Sequence, residues 1–224
     1  MDWLDSYKGG LDAYRDGSNP FWPLSKDYDQ LSVDGKRQAR ISVLKKQDTP
    51  LDLVVAWDFF RRVYLNGSKE CPFYKDGYVE SPDFHFDLVH AIGEFALNAW
   101  AAPRGSAKST VVVLELPLLF VLTRPFIDIS LFFSTDRLKQ PRFDTLIMQL
   151  TCNELILQDF GELKPKRGSR TWNHELLQLV NGTSISGGSV MGKMRGGRPH
   201  WLVMDDPEND PDSDSETSRL AVIE

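Results

Sequence analysis

The sequence has few of the features that would point to secretion, thiol metal sites or membrane insertion. Its 224 residues include two cysteines, Cys71 and Cys152, and their wide separation forms no metal or redox spacing. The start of the chain lacks the basic and apolar regions of a signal peptide. The longest apolar run, 111–122, contains Glu115 and Pro117 and is too short to cross a bilayer. These absences predict a reducing compartment, and the cytoplasm fits most simply.

Histidine is also scarce, and the acidic C-terminal run lacks the residues of a calcium loop. The four histidines show neither an H-E-x-x-H pattern nor a Cys/His cluster, so no zinc site is expected. The spacing Asp210-x-Asp212-x-Asp214 begins like a calcium loop, which needs glycine at its sixth position and glutamate at its twelfth. Those positions hold Ser215 and Ala221, and a calcium loop is therefore rejected.

The overall charge is negative, which restricts the ways in which the chain could contact nucleic acid. A net charge of −6, with 41% hydrophobic and 26% charged residues, is typical of a soluble globular protein and argues against a general nucleic-acid coat. A local basic site remains open. A basic loop at 164–170 could contact DNA phosphates, although such runs are more often solvated surface. Its members are Lys164, Lys166, Arg167 and Arg170.

The hydrophobic pattern predicts strands that alternate with helices. Helices are expected over 51–63, with Pro50 in the first turn, and over 84–94, with Asp83 as the cap. A strand-like run follows at 95–101. After it come a helix over 111–122 disturbed by Pro117, a strand over 126–133, a helical region to about 157 interrupted by Pro141, a hairpin turning at Asn181-Gly182, and a strand over 200–204. This order predicts an α/β sheet, parallel apart from the hairpin.

The stretch 102–110, Ala-Pro-Arg-Gly-Ser-Ala-Lys-Ser-Thr, lies between the predicted strand and helix. Strand, small-residue loop, Lys-Ser/Thr and helix is the layout of a phosphate-binding P-loop, in which backbone N–H groups and a helix N-terminus face one anion. The strict pattern, G-x-x-x-x-G-K-[ST], is not met, because Ala102 and Ala107 occupy both glycine positions. Alone, the stretch fits a nucleotide site or an ordinary strand–turn–helix join.

A pair of carboxylates at the end of the last predicted strand strengthens the first interpretation. In P-loop NTPases an apolar strand carries an aspartate to the Mg²⁺ opposite the Ser/Thr of the loop. The strand at 201–204 leads into Asp205-Asp206 in this way. The pair could also be a solvated strand end, since the acidic run continues beyond it. Together with the loop, the pair predicts a site for a nucleoside triphosphate.

Four stretches resemble the ATPase half of the large terminase subunit of tailed bacteriophages, the motor that pumps DNA into capsids. They are Phe84-His85, the loop 103–110, the segment 153–163, and the run 192–207, which resembles an R-G loop leading into a Walker B strand. Order and spacing agree over residues 84 to about 210. The resemblance implies a P-loop NTPase fold of the ASCE type with a mainly helical N-terminal extension.

The resemblance also implies roles for individual residues. Lys108 would neutralise the β- and γ-phosphates of ATP, Ser109 would hold Mg²⁺, and Asp205 would hold it through water. The remaining nucleotide-binding positions of the loop would be Pro103, Gly105, Ser106, Ala107 and Thr110, with His85 near the adenine. The carboxylate that positions the attacking water would be Asp206 or Glu208, whereas many family members carry glutamate directly after the metal-binding aspartate.

Hydrolysis also needs a cation on the transferred phosphoryl group, and two arginines are candidates. Arg195 matches the R-G loop, which in the family can supply an arginine finger to a neighbouring subunit. Arg104, in the loop itself, is the alternative within one subunit. Ser134-Thr135, at the end of a predicted strand, could sense the γ-phosphate or form an ordinary turn.

The resemblance further predicts domain organisation, partners and location. Residues 1–80 would form an N-terminal arm and helical subdomain, and 81–224 an ATPase core truncated after the Walker B strand, without the nuclease domain. Expected partners are double-stranded viral DNA, the portal protein, the small terminase subunit and further copies in a ring, without a membrane. The expected place of action is the host cytoplasm, transiently on the procapsid portal and outside the virion. The alternatives are another P-loop motor, helicase-like or partition-type, and a module that docks on portal or small subunit without turnover.

Overall fold

The computed structural model describes Tyr7, Asp12 and residues 22–74, 76–166, 171–189 and 198–207. The chain divides into two compact units, residues 1–106 and 107–224. The boundary predicted after residue 80 follows from the resemblance, whereas this division reflects compactness. Because the two criteria differ, that boundary stays a prediction. Among the described helices, none is both long and apolar enough to span a membrane.

The described part of the first unit is helical. After a short 3₁₀ helix at Lys26–Gln30, its elements are α1 (Val33–Lys45), α2 (Pro50–Phe60), a π-helical turn that continues α2 (Arg61–Leu65), and α3 (Asp83–Glu94). Thr49 caps α2 by accepting a hydrogen bond from the Asp52 N–H at 3.1 Å, and Pro50 lies in the first turn as predicted. The predicted cap of α3 is wrong, because Asp83 is already helical and Pro82 occupies the cap position.

Aromatic side chains form the centre of the first unit. Trp57 and Phe60 on α2 have no exposed surface, and the Trp57 ring meets Phe86 of α3 edge-on with centroids 5.5 Å apart. Aromatic pairs at this separation add specific attraction to the free energy gained by burying their area. The contact fixes α3 against α2, and α3 carries one of the predicted site residues, His85.

The second unit is a mixed α/β structure with an open four-stranded sheet. Its elements are a π-helical segment (Thr110–Glu115), α4 (Leu116–Thr123), β1 (Asp128–Phe133), α5 (Asp136–Cys152), α6 (Glu154–Phe160), β2 (Leu176–Gln178), β3 (Ser184–Ser189) and β4 (Trp201–Asp205). The strand order is β2-β3-β1-β4. Strand β1 runs parallel to β3 and β4, and β2 pairs antiparallel with β3. The predicted mostly parallel sheet with one hairpin is confirmed.

The predicted strand at 95–101 is wrong. In the structure this segment belongs to no strand, and its apolar side chains are exposed, Leu97 by 92% and Phe95 by 54%. An extended segment becomes a strand only when a neighbour accepts and donates its backbone hydrogen bonds, and no described strand of the first unit does so. Apolar composition alone therefore misled the prediction.

The two interior prolines have milder effects than predicted. Pro141 lies in the second turn of α5, where it removes one backbone bond, and the helix continues to Cys152. The break predicted at Pro141 occurs instead at Asn153, whose side chain caps α6 by accepting from the Ile156 N–H at 3.1 Å. Pro117 is the second residue of α4, which directly follows the π-helical segment, so the helical path changes its hydrogen-bond spacing there without ending.

The sheet brings the ends of its parallel strands to one edge. In the pairing of β1 with β4, Phe133 lies opposite Asp205, the last residue of each strand. Ser134 and Thr135 follow β1, and α5 begins directly after them. In open α/β sheets ligands bind outside the carboxyl ends of the strands, so this edge is the natural place to search for a site.

Candidate functional site

The structure brings Lys108 and Ser109 together with the two carboxylates at the end of β4. Lys108 Nζ lies 2.9 Å from Asp206 Oδ1, although the residues are 98 positions apart. The Ser109 hydroxyl donates to Asp205 Oδ1 at 2.7 Å across 96 positions. All four residues belong to the second unit. The sequence predicted that these two stretches form one site, and the structure shows two side-chain contacts between them.

Two features of β4 aim its carboxylates. The strand pairing with β1 fixes Asp205 at the strand end, where it is partly buried. Asp206 follows with a backbone φ of 44°. Residues other than glycine, asparagine and aspartate rarely adopt this left-handed conformation. The turn at Asp206 ends the strand. The Asp206 side chain is 61% exposed, and its carboxylate pairs with Lys108. The two neighbouring carboxylates thereby engage different partners.

Burial dominates the electrostatics of the inner carboxylate. Desolvation raises the pKa of Asp205 above its ordinary value, and the neighbouring charge of Asp206 acts in the same direction. The hydrogen bond from Ser109 and the positive charges of Lys108 and Arg142 lower that pKa and offset part of the effect. A carboxylate held in this way is costly to ionise unless a cation approaches it.

The loop has an unusual backbone where it enters the helix. The backbone φ of Ala107 is 58°. The Ala107 carbonyl accepts a hydrogen bond from the Val111 N–H at 3.3 Å, where the helix begins. A left-handed conformation costs an L-residue about 1–2 kcal/mol relative to glycine. Ala107 occupies the position where the strict P-loop pattern has its second glycine. The backbone thus adopts the conformation that glycine would favour, although the residue is alanine.

The part of the loop in the first unit contains the glycine that the sequence retains. Gly105 has φ at 80°, and the Ser106 N–H donates to the Pro103 carbonyl at 3.3 Å to close a tight turn. The Ser106 hydroxyl is buried and has no hydrogen-bond partner among the described residues. A buried hydroxyl without a partner is costly, and a phosphate oxygen is the kind of acceptor that would satisfy it.

His85 is buried in the first unit, with both ring nitrogens engaged. Its Nε2 lies 2.7 Å from the Ser106 carbonyl oxygen, and its Nδ1 lies 3.1 Å from the Ser81 hydroxyl. Only 4% of the residue is exposed. The structure therefore connects His85 to the predicted loop through a backbone carbonyl. Its predicted position near the adenine stays a prediction.

The second unit presents two oxygens of the kind that Mg²⁺ prefers. Ser109 Oγ and Asp205 Oδ1 are joined by a hydrogen bond of 2.7 Å, so a hydroxyl and a carboxylate lie side by side. The described residues contain no group of three or more His, Cys, Asp and Glu side chains that could hold a metal. Magnesium does not need such a group, because it keeps several waters and shares its remaining positions with phosphates.

The other predicted residues differ in how much the structure says about them. Pro103 and Arg104 are exposed, and Thr110 is partly exposed at the start of the π-helical segment. Arg195, Glu208, Arg167 and Arg170 lie outside the described residues. Of the basic loop, Lys164 lies over the Trp172 ring at 5.9 Å, a cation–π contact that needs no DNA.

Sequence reasoning missed three residues that influence predicted site residues, one in the second unit and two in the first. Arg142 on α5 contributes a positive charge at Asp205, and nothing in its spacing distinguished it from other surface arginines. Ser81 and Arg61 support His85, since Arg61 donates to the Ser81 hydroxyl. Aromatic residues near an arginine were the one available signal, because Trp57, Tyr74 and Tyr78 surround the Arg61 guanidinium.

No protein-family model matches the chain, and no curated protein matches it in sequence. The resemblance noted above therefore rests on four short stretches and their order. A functional conclusion must come from the site itself, whose chemistry can be argued from its distances and charges.

Proposed function

We propose that this protein binds ATP with Mg²⁺ and hydrolyses it, as the ATPase portion of a DNA-packaging motor of the large terminase type. The observation that carries the proposal is the pairing of Lys108 with Asp206 and of Ser109 with Asp205. A cation, a hydroxyl and two carboxylates at the end of a parallel strand are the parts that phosphoryl-transfer sites use. An ordinary strand–turn–helix join has no need to bring them together.

Lys108 is the residue proposed to bind the β- and γ-phosphates. Its ammonium group now faces one carboxylate oxygen at 2.9 Å, on a side chain that is 23% exposed. A triphosphate carries more negative charge than one carboxylate, so its arrival would draw the lysine away from Asp206. The exposed pair itself contributes little to stability, which makes the exchange inexpensive.

The same exchange would release Asp206 for a second task. Once Lys108 binds phosphate, the Asp206 carboxylate is available to orient the attacking water, the role that the sequence assigned to Asp206 or Glu208. The ion pair in this structure is then a resting arrangement, and phosphate binding converts it into a working one. The expected consequence is that Asp206→Asn binds ATP but hydrolyses it slowly.

Ser109 and Asp205 are the residues proposed to hold the metal. Mg²⁺ supplies charge neutralisation on the phosphate oxygens. Ser109 offers its hydroxyl oxygen, and Asp205 offers a carboxylate whose burial penalty a divalent cation would offset. The raised pKa of Asp205 and the fit of a cation thus have the same cause, a carboxylate desolvated in advance of its ligand.

The cation on the transferred phosphoryl group remains a choice between arginines. Arg104 belongs to the loop and is exposed, and Arg195 would act from a neighbouring subunit of a ring. The wider proposal keeps the partners and place that the resemblance implies: double-stranded viral DNA, portal protein and small terminase subunit, in the host cytoplasm and on the procapsid portal.

Phosphate release from Mg-ATP tests the enzymatic part of the proposal. Lys108→Ala is expected to reduce turnover by about 10²–10³-fold, the cost of removing one preorganised group that stabilises charge. Lys36→Ala is the matched control, because Lys36 also pairs with an aspartate, Asp29, at 3.3 Å but lies on α1. Absence of turnover at saturating Mg-ATP would refute hydrolysis by this chain and favour a docking module.

A second measurement separates a packaging motor from other P-loop motors. Stimulation of turnover by a portal protein or small terminase subunit would support packaging, whereas separation of DNA strands would support a helicase. Both assays use the same chain and the same ATP concentration. Strand separation without any response to packaging proteins would contradict the terminase assignment while leaving ATP hydrolysis intact.

A further inference from the structure

Arg142 on α5 lies near the carboxylates at the end of β4, and both belong to the second unit. Burial raises the pKa of Asp205, whereas the positive charges of Lys108 and, more weakly, of Arg142 lower it. Arg142 forms no ion pair with Asp205 or with any other carboxylate of the described residues. A charge that acts on a carboxylate without pairing with it lies close by but beyond contact distance.

The sheet explains how α5 brings an arginine to this edge. Strand β1 ends at Phe133, which lies opposite Asp205, and α5 begins at Asp136. The start of α5 therefore lies at the same edge as the carboxylates, and α5 also packs against the π-helical segment that follows Ser109. Helical side chains tilt toward the N-terminus of their helix, so the long side chain of Arg142, in the second turn, extends back toward this edge.

Packing of α5 restricts where Arg142 can lie. Leu146 and Gln149, four and seven positions further along, have no exposed surface. Residues at these spacings share one face of a helix, so Arg142 belongs to the inward face of α5 and is itself partly buried. The next residue, Phe143, is about 100° further round the helix and packs at Gly187 of β3. Arg142 is thus held beside the sheet, away from the position over β3 that Phe143 fills.

The Arg142 guanidinium has no hydrogen-bond acceptor among the described residues, although the residue is partly buried. Lys108, by contrast, already pairs with Asp206 at 2.9 Å. A partly desolvated cation without acceptors is costly, and it gains free energy when an anion arrives. The planar guanidinium presents its N–H donors as a fork that matches two oxygens of one phosphate group.

We infer that Arg142 binds the terminal phosphate of the bound nucleoside triphosphate, so that the site prefers a triphosphate to a diphosphate. The inference rests on the proposed function and adds a cation from α5 to the two arginines considered above, Arg104 and Arg195. In sites of this class the metal bridges the β- and γ-phosphates. A cation that comes from another element than the loop, next to the metal-binding Asp205, is therefore available to the outermost phosphate.

Calorimetric titration with Mg-ATP and with Mg-ADP tests the inference. For Arg142→Ala the affinity for ATP is expected to fall by about tenfold or more, which is the effect of hydrogen bonds to a charged group. The affinity for ADP, which lacks the terminal phosphate, is expected to stay within about twofold. Arg142→Lys keeps the charge without the fork and is expected to lose about threefold for ATP alone.

Arg137→Ala is the matched control on the same helix. It removes the same charge, but Arg137 is exposed and is not among the charges that act on Asp205. It is expected to bind both nucleotides like the unchanged chain. If Arg142→Ala does not fold, Arg142→Met supplies the comparison, since methionine keeps an apolar stem in the partly buried position. The same selective loss for ATP is expected of Arg142→Met.

The outcomes distinguish the two proposals. If the unchanged chain binds neither nucleotide, the nucleotide site fails and the role of Arg142 fails with it. If the chain binds both and Arg142→Ala binds ATP equally well, only the role of Arg142 fails. Equal losses for ATP and ADP would show that Arg142 does not contact the terminal phosphate and would overturn the inference. A loss of the same size in Arg137→Ala would show an effect of overall charge and would also contradict it.

Discussion

Asp205 is a carboxylate whose burial disfavours its charged form. Burial raises its pKa above the ordinary 3.8, so the native state holds the proton to higher pH than the unfolded chain does. Stability therefore falls as pH rises through the interval between the two pKa values, and the cost persists at neutral pH. A site that binds a cation explains why such a group is retained.

Asp205→Asn is expected to raise the melting temperature at pH 7, because asparagine has no charge to desolvate and can still accept from Ser109. The gain should shrink as pH falls through the raised native pKa of Asp205 and disappear below the ordinary 3.8, where the carboxyl is protonated in both the folded and the unfolded state. Thermal unfolding followed at several pH values measures it. Asp206→Asn, at a largely exposed position, is the control and should change stability by less than about 0.5 kcal/mol. A lower melting temperature for Asp205→Asn at pH 7 would contradict the account.

Substitutions at the two left-handed positions of the loop, Gly105 and Ala107, should affect stability differently. At Gly105 an added Cβ meets no atom within 4 Å, so Gly105→Ala tests backbone strain alone and should cost about 1–2 kcal/mol. At Ala107, already at φ 58°, Ala107→Gly should relieve strain and change stability by about 1 kcal/mol or less, partly offset by unfolded-state entropy. Urea unfolding compares both variants. Equal effects of the same sign would be inconsistent with these conformations.

At the scale of elements, the packing of α5 on β3 depends on one glycine. A Cβ at Gly187 would lie 2.7 Å from Phe143 of α5 and 2.7 Å from the backbone carbonyl of His174. Both distances are too short, and the carbonyl cannot move as a side chain can. The close approach explains why glycine lies inside this strand.

Gly187→Ala should therefore destabilise the protein by about 1–3 kcal/mol through overpacking. Phe143→Leu shortens one of the two clashing neighbours, so the double variant should lose less than the sum of the single variants. Chemical unfolding of the four proteins gives the coupling. Additive losses would show that Phe143 does not press on this position.

The sequence predicted elements well where the signal is local and less well where it depends on pairing. Pro50, for example, lies in the first turn of α2 as predicted, because the start of a helix is determined by nearby residues. The strand at β4 was predicted from its apolar run. The segment 95–101 carries a similar run and is not a strand, because pairing partners are set by the fold and not by composition.

The site shows the same limit. The sequence predicted two halves of one site, Lys108-Ser109 in the loop and Asp205-Asp206 at the strand end, because each half is a local motif. Their pairing as Lys108–Asp206 and Ser109–Asp205 required the structure, since a side-chain hydrogen bond across 96 positions leaves no sequence pattern. The support of His85 by Ser81 and Arg61 was missed for the same reason.

For the whole molecule, the two compact units divide the predicted loop between Ser106 and Ala107. The first unit holds a restrained carbonyl, and the second holds the cation, the hydroxyl and both carboxylates. The proposed ligand would bind the groups of the second unit. Its binding should stabilise the native chain by linkage, by about 2.7 kcal/mol at a ligand concentration of 100 times Kd.

The most direct test of the central proposal is the affinity of the full chain for Mg-ATP, measured by titration calorimetry with Lys108→Ala beside it. The proposal predicts saturable binding to one site, dependence on Mg²⁺, and a loss of at least tenfold in Lys108→Ala but not in Lys36→Ala. Absence of binding by the unchanged chain, or binding that Lys108→Ala leaves intact, would contradict it.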